Sequence, residues 1–328
     1  MNNEVPKSNL LEILRRRQGT YVSGEDLSRL LGVSRTAIWK QVRSLRREGY
    51  EIDAQPRLGY CLLSVPDAFY PDEVLTGLKT SWLGRSLYYY DEVGSTNQVA
   101  KELADAGAGE GTLVIAERQT SGRGRLGRSW VSPPRKGAWF SLVLRPRVLP
   151  AFAPQLTLLA AVAVQAAIRD CTGLALGIKW PNDLLARGRK ICGILTEMKA
   201  EMDAVDYLVL GIGLNINLQV EDFPPELRDT ASSLLLETGR QFVRVPLLQA
   251  ILAKLEDAYT LWQEEGFAPI RRAWKEANVV LGQKVRLNSW GEIFEGEAVD
   301  IDETGALLIK EAGGRVLRFA SGEVSLRW

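Results

Sequence analysis

Along the first sixty residues the apolar positions recur at helical spacing. Leu10, Leu11, Ile13 and Leu14 predict a short amphipathic helix. Ser23-Gly24-Glu25-Asp26 has the form of a capping box, and Leu27, Leu30 and Leu31 follow at helical intervals. Gly32 is placed to end that helix, and Ser34 to cap a third one over about 35–48. At about 100° per residue, Ile38, Val42 and Leu45 fall within an arc of about 60°, a narrow buried stripe. Thr36, Trp39, Lys40, Arg43, Arg46 and Arg47 spread over the neighbouring arc of about 120°, a broad basic face with one aromatic. Two short strands, 50–54 and 60–63, flank Gln55-Pro56-Arg57-Leu58-Gly59 and read as a hairpin. Three helices and a hairpin make a winged helix-turn-helix. Its third helix is expected in the DNA major groove and Arg57, at the wing tip, on the DNA backbone. The plainer alternative is a small helical domain whose charged face is merely solvated.

Residues 64–71 read as a linker, and the pattern then alternates. Residues 87–90, 112–117, 138–144, 178–180, 190–197 and 207–217 predict strands, and 97–106 and 154–171 predict helices. Leu248, Ile251, Leu252, Leu255, Tyr259 and Trp262 form a clear helical stripe. Such a mixture implies an α+β layered domain. The longest apolar run, 156–168, has 13 residues and reads as a core helix too short to span a bilayer. From about Lys275 the period becomes two, in Val285/Leu287, Val299/Ile301 and Leu307/Ile309, with Gly291, Gly305, Gly313, Gly314 and Gly322 between them. That predicts a small β-barrel or sandwich. The expected domains are therefore 1–65, 66–274 and 275–328.

The net charge of +1 says nothing about partners, but its distribution does. Residues 1–65 hold eleven Lys/Arg against seven Asp/Glu, a basic head on a near-neutral body, which suits nucleic acid. There is no histidine, which removes Ser-His-Asp and Cys-His hydrolases and His metal sites together. The three cysteines, Cys61, Cys171 and Cys192, are far apart and form no C-x-x-C. That odd, sparse count suits a reducing cytoplasm. The start, Met1 to Lys7, carries no apolar run, so no signal peptide is expected.

Candidate chemistry concentrates in four places. Gln119 to Trp130, Q-T-S-G-R-G-R-L-G-R-S-W, packs three Gly and three Arg into 122–128. No core holds three arginines so close and no regular element wants three glycines, so this is a mobile loop. Glycines admit backbone N–H groups to a ligand and guanidiniums neutralise oxyanions, which points to an anionic ligand. Composition alone leaves open a basic loop touching nucleic acid. Lys179-Trp180-Pro181-Asn182-Asp183, then Arg187-Gly188-Arg189-Lys190 and Gly193 to Glu197, can fix a cation in a cleft. Alone, it could be a hairpin with a solvated lysine. Gly211-Ile212-Gly213-Leu214-Asn215-Ile216-Asn217 suggests close backbone approach with polar ligand contact, or an ordinary bulged strand. Ser95-Thr96-Asn97, before a helix, could be only an N-cap.

In this order, S-T-N, G-R-G-R-x-G-R-x-W, K-W-P-N-D, R-K-x-x-G-I-L-x-E and G-x-G-x-N-x-N, the chain resembles the biotin–protein ligases. With its winged helix it is similar to the bifunctional form that is also a biotin-operon repressor. The resemblance extends to Gly305-Ala306-Leu307-Leu308 and Ser321 to Arg327, which look like that family's SH3-like terminal β-barrel. Leu126 departs from the pattern, since some members carry Arg there. The resemblance implies an AMP-forming ligase that makes biotinyl-5′-AMP from biotin and ATP and then biotinylates one lysine of a carboxyl carrier domain. It implies biotin contacts at Ser95, Thr96, Asn97, Gln119, Arg123, Gly124, Arg125 and Lys190. ATP or adenylate contacts would be Arg123, Arg128, Trp130, Lys179, Asn182, Asp183 and Asn215. Lys190 and Arg125 would be catalytic, with Asp183 as base or amine orienter. Mg²⁺ is expected with ATP, and no stable protein-held metal site. DNA contacts would be Ser34, Arg35, Thr36, Trp39, Lys40, Arg43 and Arg57. Adenylate would favour a homodimer on operator DNA, and no membrane is involved. A lipoate–protein ligase, or a ligand-sensing transcription factor without ligase activity, are the alternatives.

Overall fold

The computed structural model describes residues 7–201, 204–289 and 291–326. The start read at residues 1–6 and Arg327 of the terminal motif lie outside the described residues. The chain divides into two compact units, Met1–Asp67 and Ala68–Trp328.

The first unit is three helices and a hairpin: α1 (Lys7–Arg16), α2 (Gly24–Leu31), α3 (Arg35–Arg47), β1 (Glu51–Gln55) and β2 (Gly59–Ser64). Ser23 caps α2 by accepting from Asp26 N–H at 3.0 Å, and Gly32 ends it in the left-handed conformation at φ 66°. Ser34 Oγ accepts from Ala37 N–H at 3.2 Å and starts α3. Ile38, Val42 and Leu45 are buried, as their spacing required, while Trp39 stays half exposed. Arg46 leaves the expected basic face: its Nε donates to the Ile52 carbonyl at 2.8 Å and ties α3 to β1.

The second unit opens with a correction. Two residues of the expected linker are core: Ala68 and Phe69 are fully buried, and Phe69 N–H donates to Glu117 Oε1 at 2.9 Å. There follow α4 (Pro71–Leu75), β3 (Leu87–Val93), α5 (Thr96–Asp105), β4 (Leu113–Gln119), β5 (Gly137–Leu144), α6 (Pro154–Thr172), β6 (Gly177–Lys179), β7 (Asp183–Ala186), β8 (Arg189–Glu201) and β9 (Ala204–Asn215). The strands form one sheet in the order β3-β4-β5-β9-β8-β7-β6. β3 and β4 run parallel across the α5 crossover, and the other pairs are antiparallel. Alternation sorts the two faces. Val114, Val143 and Val209 pack with Ala100 and Ala104 of α5, while Leu113, Leu142 and Leu210 face the main core with α6.

Beyond the sheet come α7 (Leu234–Thr238), α8 (Arg244–Glu265) and α9 (Ala268–Ala277). The helix α6 is longer than the apolar run that predicted it. With its leading turn, Pro150–Thr172 is long and apolar enough to cross a membrane by length and composition, yet 67% of its best window is packed inside the fold. Helix α9 carries through Lys275, so the β pattern starts only after Ala277. Strands β10 (Lys284–Ser289), β11 (Glu292–Ile301), β12 (Leu307–Lys310), β13 (Val316–Phe319) and β14 (Glu323–Leu326) make an antiparallel sheet in the order β13-β12-β11-β10-β14. Among the described residues no strand pairing closes it into a barrel. Its apolar face joins the main core, and Trp180 Nε1 donates to the Gly305 carbonyl at 3.0 Å.

Candidate active site

The ends of β4, β8 and β9, the start of α5 and the 120–131 loop surround one cavity of about 460 Å³. Its floor lacks side chains. Gly193 of β8 pairs with Gly213 of β9, and Gly211 lies two residues along. A Cβ on Gly213 would meet Trp130 Nε1 at 2.5 Å, one on Gly193 would meet the same indole at 2.8 Å, and one on Gly211 would collide with Asn97 Oδ1. Trp130 therefore lies flat against bare backbone. Its Nε1 is buried, with no hydrogen-bond partner among the described residues.

One wall is a neutral relay. Thr96 N–H and Oγ1 both donate to Gln119 Oε1, at 2.9 and 3.1 Å, and Gln119 Nε2 donates to Ser132 Oγ at 3.0 Å. Ser95, at the N-cap position of α5, makes no side-chain cap bond. Asn97 is committed to the fold. Its Nδ2 donates to Glu197 Oε2 at 2.8 Å and its Oδ1 accepts from Ser141 Oγ at 2.6 Å. Burial alone would raise the Glu197 carboxyl, but bonds from Lys101 and Asn97 outweigh it and hold it below the usual range.

The facing wall is charged. Lys190 Nζ lies 2.6 Å from Asp183 Oδ1 and 5.2 Å from the centre of the Trp130 ring. Its backbone is stitched to the 230–232 segment: Lys190 N–H donates to the Thr230 carbonyl at 2.8 Å, and Ser232 N–H to the Lys190 carbonyl at 2.9 Å. Asn182 Nδ2 donates to the Ile194 carbonyl at 2.8 Å, while its Oδ1 accepts from Arg125 Nη1 at 3.3 Å. Burial pulls the Lys179 ammonium and the Arg125 guanidinium below their ordinary values, partly offset by the Asp183 charge. Such half-desolvated cations bind oxyanions without first shedding a full water shell. The loop itself is folded back: Gly124 N–H donates to the Arg128 carbonyl at 2.7 Å, and Leu126 sits left-handed at φ 55°.

All fourteen cavity residues singled out from the sequence, from Ser95 to Asn215, line this one space. Asn215 is buried and its Nδ2 donates to the Ser232 carbonyl at 2.9 Å. Sequence reading missed Phe223 and Leu227, which build an apolar end with Trp130, and Glu323 and Val324 from the C-terminal sheet. Among the described residues no group of three His, Cys, Asp or Glu could hold a metal ion.

In the first unit, Arg35, Thr36, Trp39 and Arg57 line a groove of about 650 Å³ between α3 and the hairpin. Arg57 is left-handed at φ 70°, at the tip between β1 and β2. Lys40 and Arg43 are exposed on α3, and the Arg43 guanidinium lies 5.4 Å from the centre of the Trp39 ring. Ser34 is exposed as well, with its hydroxyl engaged in the cap.

Three sequence families match this chain. The biotin/lipoate A/B protein ligase family covers residues 90–215, a helix-turn-helix domain family covers 7–61, and the biotin protein ligase C-terminal domain covers 280–327. The chain is 42% identical over 320 residues to the bifunctional ligase/repressor BirA of Bacillus subtilis, covering 98% of each. It is 31% identical to the protein of that name from Escherichia coli, covering 94% of each. Among solved structures, a biotin protein ligase from Aquifex aeolicus in complex with biotin and ATP superposes with a TM-score of 0.64 at 32% identity, covering 74% of this chain and 99% of that one.

Proposed function

We infer the reaction from one premise: this chain belongs to the biotin–protein ligases, in their bifunctional ligase/repressor form. It is an AMP-forming ligase that uses biotin and ATP, and its helix-turn-helix makes it a DNA-binding repressor. The observation that carries the assignment of residues is the meeting of a neutral relay, a glycine floor and five cations in one cavity.

The relay suits the ureido ring of biotin, which both donates and accepts. Ser95, Thr96, Gln119 and the backbone of Arg123–Arg125 bind it, and Asn97 supports them from behind. The biotin carboxylate must attack the α-phosphorus of ATP and expel pyrophosphate. Two unit charges about 4 Å apart repel by roughly 1 kcal/mol in water and several times that in a drier site. Lys190 sits between carboxylate and α-phosphate oxygens, and Arg123, Arg125, Arg128 and Lys179 take the remaining phosphate charge. Trp130 covers the adenylate, and its buried N–H suits a ligand acceptor. Asn182 and Asn215 fix the nucleotide. In the second step an uncharged carrier lysine attacks the carbonyl and AMP leaves, and Asp183 takes the amine proton.

Mg²⁺, bound with ATP, would offset part of the phosphate charge. Asp183 and Glu323 are the cavity's carboxylates and each faces a cation, so phosphate oxygens would be the ion's main ligands. Ser34, Arg35, Thr36, Trp39, Lys40, Arg43 and Arg57 contact operator DNA. Unused adenylate favours a homodimer that sets two heads on a palindrome, in the cytoplasm.

Pyrophosphate exchange into ATP tests the first step, with biotin and lipoate in parallel. Biotin-dependent exchange is expected. Exchange with lipoate alone would keep the chemistry and change the ring, and no exchange with either would leave a sensor. The Asp183→Asn protein should form adenylate in a single turnover but transfer it poorly. Failure of adenylation itself would move Asp183 to the nucleotide.

A further inference from the structure

The C-terminal sheet reaches into the catalytic cavity. The turn between β13 and β14 brings Glu323 to its wall. From the arginine loop, Arg125 Nη1 donates to the Gly322 carbonyl at 3.2 Å and Arg128 Nη2 donates to Glu323 Oε2 at 2.6 Å. Asp183, the other cavity carboxylate, is held by Lys190 deep in the wall. Glu323 instead sits at the mouth. The Arg128 side chain is 66% exposed and that of Glu323 39%, so this pair is open to water and to incoming anions.

We propose that Glu323 is a positioning residue for the nucleotide step. It holds Arg128 at the cavity mouth in the empty enzyme and yields it to the polyphosphate of ATP. The proposal rests on the function given above. A carboxylate and a phosphate are alternative acceptors for one guanidinium, so whatever the pair gains in the empty state must be given up on nucleotide binding. The charge of Glu323 also repels the polyphosphate directly. Both effects have the same sign. With Glu323 ionised, the empty loop is fastened and ATP binds less tightly. Without its charge, the empty loop is freer and ATP binds more tightly. Because the pair is exposed, the effect is modest and disappears in salt.

The experiment compares the full chain with its Glu323→Gln variant. ATP with Mg²⁺ is titrated calorimetrically, and pyrophosphate exchange is run at saturating biotin. The Kd and KM for ATP should fall about two- to fivefold, with the KM for biotin as the control. The gap between the two proteins should close at about 0.5 M salt, where the Debye length is a few ångströms. Trypsin should cut the empty variant faster after Arg128. Unchanged or weaker ATP binding, or a gap that persists in salt, overturns the proposal. Should the parent chain bind ATP but show no biotin-dependent exchange, the proposed function falls, while the calorimetric comparison still decides the role of Glu323.

Discussion

Two arginine–carboxylate contacts of nearly equal length serve opposite ends in the second unit. Arg244 Nη1 lies 2.7 Å from Glu117 Oε2, and Arg128 Nη2 lies 2.6 Å from Glu323 Oε2. The first pair is sealed. Both side chains are almost fully buried, the Arg244 guanidinium stands 4.5 Å from the centre of the Phe69 ring, and Arg244 also reaches the Gly137 carbonyl. It joins α8, β4 and the first residues of the unit. The second pair lies at a cavity mouth, where an anion can replace the carboxylate. Burial and the number of other partners, not bond length, decide whether an ion pair is a fixture or a place-holder.

The sharpest way to break this comparison is Arg244→Met, which leaves Glu117 buried with little besides Phe69 N–H. It should lose about 3–5 kcal/mol of stability in urea unfolding, and adding Glu117→Gln should recover part of it. A loss no larger than that of an exposed pair would dissolve the distinction. Lys190→Gln tests the other side. It should slow adenylate formation at least about 100-fold, as loss of a preorganised charge does, while the unfolding midpoint barely moves. In the head, Arg43→Ala should weaken binding to the operator of the biotin genes about tenfold or more in a gel-shift titration. Normal binding would mean that the recognition face is elsewhere. The smallest effect belongs to the α3 cap: Ser34→Ala should cost the head about 1 kcal/mol, read by thermal unfolding.

What the sequence disclosed follows the same division. Local rules made α2 and α3 legible, because Ser23, Gly32 and Ser34 act within four residues of themselves. The arginine–glycine loop stood out for the opposite reason: no packed element tolerates that composition, and its residues line the cavity. Glu117 and Arg244 gave no signal. Each reads as an ordinary polar residue of a strand or helix, and their meeting depends on a fold that brings together positions 127 residues apart. Glu323 was hidden likewise, since nothing local to β14 says that it borders a cavity 195 residues upstream. The strand β7 was missed because it is only four residues long and begins at the last residue of the K-W-P-N-D motif, and Arg46 was misjudged because helical angle alone cannot reveal an acceptor such as the Ile52 carbonyl.

The bare floor of the cavity also constrains how this protein can diverge. Every single-base change in a glycine codon that alters the residue adds at least a Cβ. At Gly193, Gly211 and Gly213 the space that atom would need is already taken by Trp130 or Asn97. Drift therefore has no gradual route across the floor. A lineage that shifts toward another ligand must do so through the walls, at Phe140, Ile212 or Leu227, where side-chain size can change in steps.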